Sequence, residues 1–116
     1  MSLRPGSRII RVRTPLLGAI VVALALLVSC SRAPATHVVV MSGTRFSPGA
    51  DTIRAGDDVE WKNEDLVPHT ATANDRSFDS GNLDVDRAWH FKFRSAGTYA
   101  YQCLYHPGMV GTLVVR

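Results

Sequence analysis

From Thr36 to the C-terminus the chain keeps a two-residue period and shows no convincing helical one, which narrows the fold more than any other feature. In Val59-Glu60-Trp61-Lys62-Asn63, Val59 and Trp61 fall on one face and Glu60 and Lys62 on the other. Trp89, Phe91 and Phe93 alternate with His90, Lys92 and Arg94 in the same way, and Tyr99, Tyr101 and Cys103 share one face of the next segment. His37–Met41 is β-rich, and a last strand is expected over about Val110 to Val115. Ser47-Pro48-Gly49 and Ala55-Gly56-Asp57-Asp58 are turn clusters. Successive strand side chains point to opposite faces, so alternation broken by turns predicts an antiparallel β-sandwich or barrel. Asn74–Asp86, the longest stretch without a period, is expected to be a surface connection.

The N-terminal part reads differently. Arg4, Arg8, Arg11 and Arg13 precede a charge-free run, Leu16 to Val28, that is short of the roughly 20 apolar residues a spanning helix needs. A cationic start followed by such a run is the pattern of a secretory signal. The run ends in Leu27-Val28-Ser29-Cys30, which resembles a bacterial lipobox and makes Cys30 the expected lipid-bearing first residue of the mature protein. An ordinary signal peptide with an incidental cysteine, or an uncleaved anchor, are the plainer alternatives. The expected division is 1–29 lipoprotein signal peptide, 30–35 lipidated N-terminus and tether, and 36–116 folded domain. All ten acidic residues lie after position 50, so without those four arginines nine Lys and Arg face ten Asp and Glu. The basic character belongs to the leader, and a nucleic-acid partner loses its support.

Cys30 and Cys103 are the two cysteines, and an exported protein would ordinarily pair them. A lipid on Cys30 leaves Cys103 without a partner, and metal ligation accounts for it. Cys103-Leu-Tyr-His106-Pro-Gly-Met109 stands near the C-terminus, and Pro68-His69 far upstream. One thiolate, two imidazoles and one thioether make the donor set of a blue-copper site, with two His and Cys near a plane and Met as a weak axial donor. The thiolate binds copper strongly, the imidazoles suit both oxidation states, and the thioether leaves the plane nearly three-coordinate, so little has to move on electron transfer. Zinc also takes Cys and His, but structural zinc recruits several cysteines and seldom Met. Each residue alone is ordinary: His69 as a surface or core histidine, Met109 as core filling, Cys103 as an inert thiol. His37 and His90 are not expected to be ligands.

Residues 36–116 resemble the cupredoxin family, the plastocyanin and amicyanin group in particular. The likeness rests on Phe46-Ser-Pro48, Ala55-Gly56-Asp57, Val59-Glu-Trp61-Lys-Asn63, Pro68-His69, Phe78-Asp-Ser-Gly81, Gly97-Thr-Tyr99-Ala-Tyr101-Gln-Cys103 and Gly111-Thr-Leu-Val-Val115. The resemblance implies an all-β, antiparallel Greek-key β-sandwich holding one type 1 copper through His69, Cys103, His106 and Met109. It also implies that His106 is the solvent-edge ligand within an apolar patch, with Leu66, Val67, Pro68, Leu104, Pro107 and Gly108 as candidates. Thr70 stands where many relatives carry Asn, and Leu104-Tyr105 replaces a more usual Thr-Pro. A single mononuclear site without a second cluster or domain favours an electron carrier over an enzyme, working as a monomer with redox protein partners near His106 and with the membrane through its lipid. The alternatives are copper delivery or buffering in the cell envelope, and a binding module that keeps the motif unused.

Overall fold

The computed structural model describes residues 2, 3, 6, 9–13 and 30–116. The apolar run Leu16–Val28, and most of the expected signal peptide with it, lies outside the described residues. Residues Ala33–Arg116 form one compact unit of eight strands. These are β1 (Thr36–Ser42), β2 (Arg45–Ser47), β3 (Ala50–Ile53), β4 (Asp58–Asn63), β5 (Thr72–Ala73), β6 (Ala88–Lys92), β7 (Gly97–Gln102) and β8 (Val110–Val115). They form two four-stranded sheets, ordered β2-β1-β4-β6 and β3-β8-β7-β5.

The alternation in the sequence becomes the core. Val39, Trp61 and Trp89 sit in register across β1, β4 and β6. Their row meets Tyr101 and Leu113 of the other sheet within one cluster of buried side chains. Trp61 is fully buried and touches Phe78, Trp89, Phe93 and Tyr101 at ring-centroid distances of 5.1–6.3 Å. Tyr101 faces Gly111 across the β7–β8 ladder, and a Cβ at 111 would lie 2.7 Å from its Cε1. Glycine is required there so that the Tyr101 ring can lie flat over the neighbouring strand.

The expectation of a wholly antiparallel sandwich is corrected at two places, because β1 pairs parallel with β4 and β3 parallel with β8. The cause is the Ser47-Pro48-Gly49 break. It does not close a hairpin but passes the chain from one sheet to the other, so that β3 continues the direction of β2. The Arg54–Asp57 turn then reverses it, with Asp57 N–H on Arg54 O at 3.0 Å, and β4 returns to the first sheet running with β1. Side-chain period is the same in parallel and antiparallel strands, so alternation cannot tell them apart.

Ala35, at the end of the expected tether, is hydrogen-bonded to the turn before β4: its N–H donates to Asp57 Oδ1 and its carbonyl accepts from Asp58 N–H. One further expectation changes. Asn74–Asp86 is more than a surface connection, since Phe78 and Leu83 on it are buried and Leu83 forms a β-bridge with His69. Two apolar anchors in an otherwise polar stretch leave no periodic trace, but they pin it to the core. His90 lies outward beside Glu60. His37 ties the two sheets at the end where the chain enters, its ring nitrogens each 3.1 Å from a carboxylate, Asp51 on β3 and Asp57 in the turn.

Candidate metal centre

β7 ends at Gln102, and the chain then curls back into β8 through the Cys103–Met109 loop. Cys103 N–H donates to Met109 O (3.0 Å) and Met109 N–H to His106 O (3.1 Å), while Gly108 takes a φ of +85° that other residues rarely adopt. These constraints fold the loop back on itself and bring the Cys103 and His106 donor atoms together. Cys103 and Met109 are buried and His106 is half-buried. His69 arrives from the other side. It sits on the connection from β4 to β5, where a two-way backbone bridge to Leu83 fixes it.

His69, Cys103 and His106 each present one ligand atom, and these atoms lie within 4.8 Å of one another. The Cys103 Sγ is 3.7 Å from His69 Nδ1 and 3.5 Å from His106 Nδ1, and the two rings stand 4.8 Å apart. Both histidines thus turn the same nitrogen to the sulfur. Three of the four sequence-predicted residues, His69, Cys103 and His106, gather here, with Met109 buried in the same loop, while His37 and His90 lie elsewhere. A soft sulfur with two converging imidazoles, mostly withdrawn from water, fits copper and gives hard oxygen-seeking cations nothing to hold.

The surroundings of these donors contain residues that sequence reasoning missed. Asp65 Oδ2 lies 3.0 Å from His69 Nε2, so the imidazole N–H donates outward and Nδ1 is left as the free lone pair. The Thr44 backbone N–H, the His69 ring N–H and the Leu66 N–H together hold the Asp65 carboxyl down at about 2, so it stays ionised. The four-residue spacing of Asp65 and His69 was the available signal. Asn63, fully buried, organises the loop between them. Its Nδ2 donates to Val67 O (2.9 Å) and Leu83 O (3.0 Å), and its Oδ1 accepts from Asp65 N–H (2.9 Å).

Thr70 answers the question its substitution raised. Its backbone N–H donates to Cys103 Sγ at 3.4 Å, and its Oγ1 accepts from Leu104 N–H at 2.9 Å. The Thr70 and Thr72 hydroxyls are 3.0 Å apart, and Thr72 Oγ1 reaches Asp79 Oδ1 at 3.0 Å. Since Thr72 has a single hydroxyl proton and Asp79 can only accept, Thr70 donates between the two hydroxyls. The side chain therefore braces the two ligand-bearing segments in place of an amide. Leu104 and Tyr105, which precede His106 in the loop, are each 48% exposed, and Leu66 (89%) and Val67 (38%) are exposed on the segment that leads to His69.

Residues 35–116 match the family of copper binding proteins described as the plastocyanin/azurin family. The chain is 31% identical over 95 residues to an amicyanin of Paracoccus versutus, covering 77% of this chain and 72% of the relative. It is 36% identical over 84 residues to a plastocyanin of Scenedesmus fuscus, covering 61% and 86%. Among solved structures, the novel purple cupredoxin from Nitrosopumilus maritimus superposes with a TM-score of 0.66 at 28% identity, covering 69% of this chain and 99% of that one.

Proposed function

Since the chain belongs to the plastocyanin/azurin family of copper-binding proteins, we propose that it is an extracytoplasmic, membrane-anchored carrier of single electrons, with His69, Cys103, His106 and Met109 as the copper ligands. The observation that carries this reading is the convergence of two Nδ1 atoms on one buried sulfur, one of the two imidazoles being half-buried on a loop that exposes Leu104 and Tyr105. Copper bound there supplies a one-electron Cu(I)/Cu(II) couple. The protein's own groups do the rest. Asp65 fixes the tautomer of His69, and Thr70 N–H and Leu104 N–H tie the sulfur's segment to the His69 segment. Such bracing keeps donor positions the same in both charge states. Cys103 and the fully buried His69 are closed to exchange with solvent, which favours electron transfer over copper delivery.

His106 is the port in this reading. A redox protein partner docks on Leu66, Val67, Leu104 and Tyr105 and meets the imidazole edge. The lipid on Cys30, exposed and unpaired, holds the monomeric 36–116 domain at the membrane. A single acyl chain binds only marginally, so a diacyl anchor is the stable form. The test of the port is His106→Gly, which should sharply slow electron self-exchange measured by NMR line broadening, with free imidazole restoring part of the rate. An unchanged rate would mean that electrons do not pass through His106. The anchor is tested by Cys30→Ser, which should leave an unprocessed precursor without lipid. Wild-type protein found soluble and lipid-free would remove the anchor.

A further inference from the structure

The two segments that carry the metal donors are held unequally. His69 is fixed from three directions: its ring N–H donates to Asp65, its backbone exchanges two hydrogen bonds with Leu83 (3.0 and 2.8 Å), and its side chain is fully buried. The Cys103 segment is held at its start, by Thr70 N–H to Cys103 Sγ and by Leu104 N–H to Thr70 Oγ1. Beyond Leu104 the backbone bonds of the loop are internal to it. Among the described residues, one hydrogen bond joins residues 105–108 to the domain outside the Cys103–Met109 loop. It is Tyr105 O–H donating to Asn82 Oδ1 at 3.0 Å, across 23 positions of sequence.

Asn82 is well placed for this. Its Nδ2 donates to Asp84 Oδ1 at 2.7 Å, which turns the amide oxygen toward Tyr105. Its neighbour Leu83 is the residue that pairs with His69. The Asn82-Leu83 pair thus grips both ligand-bearing segments, one through backbone and the other through a side chain. The Tyr105 ring is about half exposed and is not fixed by burial alone.

We propose that Tyr105 is a positioning residue, whose hydroxyl latched to Asn82 holds the outer loop closed and sets how readily His106 swings away and bound copper escapes. The proposal rests on the copper reading above and adds to it the element that governs retention. A neutral hydrogen bond contributes ~1 kcal/mol net, which at 1.4 kcal/mol per tenfold corresponds to about a fivefold change in the open population. Loop opening precedes metal loss, so the rate of loss should rise by the same factor.

The experiment loads the full chain with Cu(I) and follows its transfer to excess Cu(I)-selective chelator. Tyr105→Phe removes only the hydroxyl, and Asn82→Ala removes its acceptor. Each should speed copper loss about fivefold, and the double variant should be no faster than either alone, because both break one bond. In the copper-free full chain, the Met109 amide, bonded to His106 O within the loop, should exchange with deuterium about fivefold faster in both variants. The strand amides of β1 and β4 should keep wild-type protection, which separates a loosened loop from a weakened fold. Wild-type exchange at Met109 in both variants overturns the latch, whatever the metal does. Faster exchange without faster copper loss overturns its role in retention, as does a double variant whose effect is the product of the single ones. Failure to load copper at all would count against the ligand assignment, while the deuterium exchange would still decide whether the latch exists.

Discussion

Thr70→Val isolates the brace between the two ligand segments. Valine matches threonine in shape, and the site is 2% exposed, so little cavity is created. The loss is the Oγ1 that accepts Leu104 N–H at 2.9 Å, and Thr72 keeps Asp79 as its own acceptor. A partly buried amide left without an acceptor costs about 1–3 kcal/mol. In a domain of this size each 1 kcal/mol moves the unfolding midpoint by roughly 4–8 °C. The copper-free Thr70→Val protein should therefore melt lower by about 4 °C or more in circular dichroism. Thr70→Ser, which keeps the oxygen, should melt near wild type. The backbone N–H to Cys103 Sγ survives both changes, so copper-loaded variants should keep the wild-type visible spectrum. A valine variant as stable as wild type, or a serine variant as weak as the valine one, would refute the brace.

Met109→Leu should raise the reduction potential and keep the blue colour, because the higher charge of Cu(II) gains more from a fourth donor, and a fall in potential under voltammetry would remove Met109 as weak axial ligand. Asp57 is held down at about 2, chiefly by the Ala35 and Arg54 N–H groups with help from His37, against about 3.9 in an unfolded chain. Its contribution is full above the unfolded value and is lost as pH falls toward 2. Urea midpoints of wild type and Asp57→Asn should therefore differ at neutral pH and converge between about pH 4 and 2, and a gap that stays constant to pH 2 would contradict this.

Much of the site was legible because its donors are chemically distinctive. Cys103, His106 and Met109 recur at three-residue steps, and no common structural role asks for that combination. The alternation around Trp61 and Tyr101 likewise gave the inward faces correctly. What stayed hidden is what alternation does not encode. Whether β4 runs with or against β1 depends on where the chain changes sheets, and Pro48 looks the same in a hairpin as at a corner. The bracing of His69 by Leu83 and of Tyr105 by Asn82 joins residues 14 and 23 positions apart in a stretch without period. Asp65 alone left a local trace, four residues before His69, and it reads as an ordinary loop acid until its partner is known.

Titration of the mature chain with Cu(II), followed by visible absorption, tests the central claim most directly. One copper per chain should produce an intense visible band from the Cys103 thiolate, and Cys103→Ser should abolish that band while His37→Gln leaves it intact. Stoichiometric binding without the band, or a band that survives the loss of Cys103, would contradict a copper centre built on this sulfur.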